Sequence, residues 1–185
     1  MSESIMIRHS AYKVDWTQLK KEELEKLLRH EKDPGIDEEK LEEQLDKEKL
    51  RDQNFTKIYT SPLKRARQTA EKISGVLDIQ VEEKEELKEH SFDGVPEEVF
   101  REGSEAVRQH LLDKTWVKSV ETDFMENKAG ENILMISHGF KMRNFHRELF
   151  DSDFRDLRDD RRFREYLTGF AIREGETRDL REGES

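Results

Sequence analysis

Apolar residues in this chain fall into a few short runs set among long charged stretches. Ser4–Ile7, Lys57–Thr60 and Ile133–Ser137 are of strand length rather than helix length. They predict strands over Ser4–Arg8, Lys57–Thr60 and Asn132–Ser137, with shorter ones over Ile79–Val81 and Thr168–Arg173. The last long run (Ile133, Leu134, Met135, Ile136) does not alternate with polar residues, as expected of a strand buried on both faces.

Between these runs the apolar positions recur at helical spacing. Leu19, Leu24, Leu27 and Leu28 predict a helix over Asp15–His30 with Asp15 or Thr17 as its N-cap. Asp33-Pro34-Gly35 is a turn signal, and Leu41, Leu45 and Leu50 predict a second helix over Asp37–Arg51. Ser61-Pro62 reads as an N-cap and first-turn proline for a helix to Leu77, with Ala66, Thr69, Ala70 and Ile73 facing inward. Further helices are expected over Pro96–His110, with a continuation toward Met125, and from His138-Gly139 to Phe150.

Strands alternating with helices predict an α/β layered fold with a mostly parallel sheet. No internal repeat or linker interrupts the pattern, so residues 1–185 read as one domain with a polar tail over about 175–185.

Composition adds constraints. Hydrophobic residues are 32% of the chain and charged residues 42%, a balance that suggests disorder until the clustering of the apolar residues is considered. That clustering predicts a folded core beneath a highly charged surface. The net charge of −10 disfavours a nucleic-acid partner. The acidic excess, in 22–48 and 82–105, reads as solvated helix faces. Arg155, Arg158, Arg161, Arg162 and Arg164 alternate with aspartates and read as a salt-bridged helix, with an anionic-partner site as the alternative. The absence of cysteine excludes disulfides, thiolate metal sites and a cysteine nucleophile. No apolar stretch approaches the ~20 residues of a membrane span, and no secretory signal is visible, so a soluble cytoplasmic protein without a membrane partner is expected.

Three predicted strands end in chemistry: Arg8-His9, Thr60-Ser61 and Ser137-His138. In parallel sheets ligands gather at the carboxyl ends of strands, where helix N-termini offer unpaired N–H groups. Arg8, Arg65, His9 and His138 would together make a phosphoryl site. Arginine supplies planar paired donors to phosphate, and a neutral histidine can attack phosphorus through Nε2.

These elements resemble the histidine phosphatase, or phosphoglycerate-mutase-like, superfamily. Arg8-His9 after a strand, Ser61-Pro62-Leu63-Lys64-Arg65-Ala66-Arg67-Gln68-Thr69-Ala70, Leu87-Lys88-Glu89 with Phe92-Asp93-Gly94, and Ser137-His138-Gly139 stand in that family's order across about residues 4–174. The resemblance implies a three-layer α/β/α domain and a metal-independent phosphatase with no cofactor. It implies His9 as nucleophile, Arg8, Arg65 and His138 on the phosphoryl oxygens, and Glu89 as acid and base. Ser10 and Gly139 would join the substrate-binding set. His30, His90, His110 and His146 read as structural or surface residues, and Arg67 as a helix-surface arginine.

The chain also departs from the family. Ser10 replaces the usual glycine after the nucleophile and offers both an N–H and a hydroxyl; Asp15 replaces a frequent asparagine. The common Leu-Thr-x-x-Gly-x-x-Gln segment survives faintly as Ile36-Asp37, with Lys40 at the glycine position and Gln44 one residue late. Within the family, Ile7–Asp15 resembles most the opening of the mitochondrial phosphoglycerate-mutase-like protein phosphatase, which acts on phosphorylated side chains of proteins. A phosphorylated small molecule or a phosphoprotein is therefore the expected partner, and no oligomeric state is implied. Two alternatives compete. One is a mutase-type isomerase, disfavoured because Pro96–Glu131 lacks a Glu-Arg-His-Tyr-Gly run. The other is a catalytically degenerate phospho-ligand-binding or scaffold protein, suggested by Ser10 and Asp15.

Overall fold

In the computed structural model, residues 3–14, 18–89, 95–102, 106, 131–150, 167–173 and 176–179 are described. Within them run β1 (Ser4–Arg8), α1 (Lys21–Leu28), α2 (Glu38–Gln44), α3 (Lys47–Asp52), β2 (Lys57–Thr60), α4 (Lys64–Leu77) and β3 (Val81–Glu83). A 3-10 turn (Glu85–Leu87), α5 (Glu97–Arg101), β4 (Ile133–Ser137), α6 (Gly139–Phe150), β5 (Gly169–Arg173) and β6 (Glu176–Asp179) follow.

The strands form one sheet in the order β3-β2-β4-β1-β5-β6. β3, β2, β4 and β1 are mutually parallel, while β5 runs antiparallel to β1 and β6 antiparallel to β5. Side chains of successive strand residues point to opposite faces, and the sheet sorts them accordingly. Met6, Tyr59, Ile133, Met135 and Phe170 pack with Met142 and Phe145 of α6. Ile5, Ile7, Ile58, Leu134, Ile136 and Ala171 pack with Ala66, Ala70 and Ile73 of α4. The result is a helix–sheet–helix sandwich with a mostly parallel sheet. All five residues of β4 are buried, which explains its unbroken apolar run. Each large apolar side chain removed from water here contributes about 2 kcal/mol.

Gly169 lets β5 reach β1, since a Cβ there would lie 1.8 Å from the Met6 carbonyl oxygen. Arg8 N–H donates to Thr168 O and Leu167 N–H to Arg8 O, so the backbone carrying Arg8 is tied to the start of β5.

Several expected boundaries move. The single helix expected over Asp37–Arg51 is two, because Leu45 is extended (ψ 103) and Asp46 caps a new helix by accepting from Lys49 N–H. α4 starts at Lys64, not at Pro62, with Leu63 as a cap that supplies no side-chain acceptor. β3 lies at Val81–Glu83, two residues beyond the expected start, after Ser74 Oγ binds Ile79 O. Residues 176–179, read as part of a polar tail, form β6: backbone hydrogen bonds to β5 extend the sheet without an apolar pattern. α1 begins at Lys21, later than expected; its expected caps Asp15 and Thr17 lie outside the described residues, as do most of 103–130 and the arginine cluster of 155–164. No helix among the described residues is long and apolar enough to cross a membrane.

Candidate active site

The register brings the chemistry-bearing ends together. Arg8 of β1 pairs with Ser137 of β4, and Thr60 of β2 with Ile136, so the carboxyl ends of three neighbouring strands lie level. His9, Ser61 and His138 each follow one of these ends, and all three are buried.

His9 is 1% exposed, and its Nδ1 lies 2.7 Å from the Ser10 carbonyl oxygen. A carbonyl can only accept, so Nδ1 carries the proton and Nε2 keeps a lone pair. Burial, then the charges of Arg65 and Arg8, hold the His9 pKa well below its ordinary value, against the pull of the Ser10 carbonyl. The ring is therefore neutral near pH 7. Its centroid stands 4.9 Å from that of His138 and 5.0 Å from that of Tyr12, which meets it edge-on.

His138 is equally buried, and its Nε2 lies 2.8 Å from Ser61 Oγ, which also accepts from Leu63 N–H at 3.2 Å. Burial lowers its pKa well below the ordinary value, and Arg65, His9, His30 and Arg8 add to the effect.

Arg65, one residue into α4, is 5% exposed. Its Nη1 donates to Asp33 Oδ1 at 2.7 Å, and its guanidinium sits 5.5 Å from the centre of the Tyr12 ring. Burial works against its charge, but the oxygens of Tyr12, Asp33 and Glu89 outweigh that and raise its pKa. Arg65 is a fixed cation. Arg67 points away and pairs with Glu83 at 3.5 Å on the surface.

Ser10 is fully buried. Its N–H donates to Thr69 Oγ1 at 3.0 Å, and Thr69 in turn donates to Arg65 O at 2.8 Å. The expectation that both donors of Ser10 face a ligand is corrected: Thr69 takes the amide and leaves the hydroxyl. The expected role of helix N-termini changes as well. Leu63 N–H donates to Ser61, Lys64 N–H to Asp33 and Phe140 N–H to Glu89, so side chains already satisfy these amides. Ser10 Oγ, Arg65 Nε and His138 Nδ1 are buried with no hydrogen-bond partner among the described residues. Three orphaned polar atoms around a neutral imidazole match the donor set a phosphoryl group requires.

Glu89 is 8% exposed and reaches the first turn of α6 by accepting from Phe140 N–H at 3.3 Å. Ser137 Oγ donates to Leu87 O at 2.8 Å, tying the Glu89 segment to the end of β4. Gly139 opens α6 at the same end. Lys141, in the same first turn, is buried with its Nζ 5.3 Å from the Phe145 ring centre. Burial lowers its pKa, and Glu89 and Glu86 oppose the shift.

All the predicted site residues thus lie at or beside one end of the sheet. Asp15, His90, Phe92-Asp93-Gly94 and His110 lie outside the described residues. His146 packs edge-on against Phe170 as a core residue. Ile36 is buried and bridges to Tyr12, while Asp37 caps α2 and Gln44 is exposed. Ser61 and Ser137, both at strand ends expected to carry chemistry, contact a predicted site residue or its segment; so do Tyr12, Asp33 and Thr69, to which the sequence pattern gives no site role. Asp33 looked like a turn residue and Ser61 a helix cap.

Residues 5–121, more than half of the chain, match the histidine phosphatase superfamily (branch 1). The chain belongs to the histidine phosphatase superfamily. Solved structures share the fold over nearly the whole chain. A phosphoserine phosphatase from Entamoeba histolytica, in complex with phosphoserine, is 21% identical with a TM-score of 0.63, covering 97% of this chain and 95% of its own. A mycobacterial glucosyl-3-phosphoglycerate phosphatase, in complex with VO3, is 15% identical with a TM-score of 0.66, covering 94% and 91%. Bacillus stearothermophilus YhfR is 18% identical with a TM-score of 0.62, covering 100% and 98%. No curated protein matches the chain in sequence. In this member of the superfamily, Arg8 ends β1 and His9 follows it directly.

Proposed function

We propose that this chain is a metal-independent phosphomonoester hydrolase working through a phosphohistidine on His9. The observation that carries the reading is the His9 ring itself: buried, neutral, with its proton committed to Nδ1 by the Ser10 carbonyl. Nε2 attacks phosphorus as the P–O bond to the alcohol breaks, forming a P–N bond. Glu89 gives its proton to the departing oxygen, then takes one from the water that attacks the phosphohistidine and releases inorganic phosphate. Arg8, Arg65, the Ser10 hydroxyl and His138 bind the phosphoryl oxygens as charge shifts onto them. For His138 this role places the proton on Nδ1, with the Ser61 hydroxyl donating to Nε2.

Arginines and imidazoles supply the positive field in this scheme. Among the described residues no group of three or more His, Asp or Glu side chains is placed to hold a metal ion. The finer substrate reading is a phosphoprotein. It is supported by the resemblance of Ile7–Asp15 to the mitochondrial protein phosphatase, a segment whose Ser10 and Tyr12 both adjoin His9. The two phosphatases of similar fold act, by their names, on phosphorylated small molecules, which are the competing class.

Hydrolysis of p-nitrophenyl phosphate in excess chelator tests the class of reaction. Wild type turns over and His9→Ala does not; equal rates in the two proteins would refute it. A panel of phosphopeptides and small phosphates then ranks the substrate classes.

A further inference from the structure

Asp33 sits in the turn before α2, and sequence gives it no chemistry. Its carboxylate nevertheless spans two groups of the site: one oxygen accepts from Lys64 N–H, the other from Arg65 Nη1 at 2.7 Å. The turn that carries it is itself held. Lys13 N–H donates to Gly35 O at 3.1 Å, Ile36 N–H donates to Gln68 Oε1 at 3.1 Å, and Ile36 bridges to Tyr12. A Cβ at Gly35 would lie 2.8 Å from Gln68 Oε1, so a side chain there would displace the amide oxygen that holds Ile36.

We infer that Asp33 is a positioning residue that reserves one edge of the Arg65 guanidinium for the phosphoryl group. A guanidinium has two edges with paired donors: Nη1 with Nη2, and Nε with Nη2. By taking Nη1, Asp33 leaves the Nε–Nη2 edge for two phosphoryl oxygens, and Nε lies buried with no partner among the described residues. The Tyr12 ring beside the guanidinium limits its swing, and the same ring touches His9. Asp33 therefore couples the aim of Arg65 to the loop that carries the nucleophile. Because Asp33 is also an anion, it opposes ground-state phosphate binding while improving alignment on the trigonal oxygens of the transition state.

This inference rests on the proposed hydrolase reading for its kinetic consequence, but its binding consequence stands alone. The test compares wild type, Asp33→Asn and Lys64→Pro. Asparagine keeps an acceptor for Lys64 N–H but loses the charge that holds Arg65. Proline at the first helical position removes the amide that Asp33 caps together with an exposed lysine side chain, and Leu63 is already extended as that proline requires. Calorimetric titration with orthophosphate and with orthovanadate, a mimic of the trigonal-bipyramidal state, gives two affinities for each protein. For Asp33→Asn, vanadate affinity falls about tenfold, orthophosphate affinity stays within about twofold or tightens, and kcat on p-nitrophenyl phosphate falls about tenfold. Lys64→Pro matches wild type within about twofold in all three. Equal loss of both anions in Asp33→Asn, no loss of either, or a Lys64→Pro protein that reproduces Asp33→Asn would each overturn the inference. A wild type that binds vanadate without turnover would refute the hydrolase reading alone, and the affinity ratio would still decide the role of Asp33. Failure of wild type to bind either anion would refute both.

Discussion

The Nδ1 of His9 donates a 2.7 Å hydrogen bond to the carbonyl oxygen of Ser10, the next residue in the chain. So short a loop fixes the ring's tautomer by local geometry alone. At Ser10 the carbonyl orients the proposed nucleophile, Thr69 holds the amide, and the hydroxyl has no partner among the described residues.

Burial and two arginines hold the His9 pKa below its ordinary 6.5, and His138 is lowered in the same way. Both rings stay neutral in the fold at pH values where the unfolded chain takes up protons. Stability from these sites is therefore full above about pH 6.5 and declines below it, with a limiting slope of about 1.4 kcal/mol per pH unit for each ring. Denaturant unfolding from pH 7.5 to 5 reads this decline, and His138→Gln reduces its slope. The His9 limb of the kcat/KM profile is expected below pH 6.5; a limb centred at or above that value would contradict a lowered pKa.

Glu89→Gln keeps an acceptor for Phe140 N–H but removes the proton that Glu89 is proposed to donate. An alkyl phosphate, with its poor leaving group, loses about 10²–10⁴-fold in kcat/KM, which reports the transfer to His9 and not the later attack of water, and p-nitrophenyl phosphate loses far less in that quantity. Steady-state rates on the two substrates check this. Equal losses on both would mean that Glu89 does not act on the leaving group.

Ser61→Ala removes the partner of His138 Nε2 and the acceptor for Leu63 N–H. The expected outcome is a kcat lowered about tenfold or more, with a stability loss of about 1–3 kcal/mol from the orphaned buried amide. Kinetics and denaturant unfolding separate the two effects, and a stability loss with unchanged kcat would assign Ser61 to the helix start alone.

Legibility in the sequence follows the range of the interactions. β1, β2 and β4 were readable because a short apolar cluster between charged stretches leaves few alternatives, and Arg8, His9 and His138 lie at or directly after those strand ends. The start of α4 was misplaced because the acceptor for Lys64 N–H is Asp33, on a separate turn 31 residues away, not Ser61 beside it. Tyr12 and Thr69 were invisible for the same reason: an aromatic after a strand and a threonine on an inner helix face look like packing. Only the folded chain brings the Thr69 hydroxyl to Ser10. The split between α2 and α3 turned on whether Asp46 would cap a new helix or sit on the surface of a continuous one, which helical spacing of leucines does not decide. β6 has no apolar signature because a strand added to a sheet edge needs only backbone partners.

The central claim is that phosphorus is carried on His9. Rapid acid-free quenching during turnover of ³²P-labelled substrate in chelator, followed by acid and alkali treatment of the protein, measures it directly. The expected result is protein-bound phosphate that is labile to acid, stable to alkali and absent from His9→Ala. An adduct that survives acid, or one that persists in His9→Ala, would contradict the account.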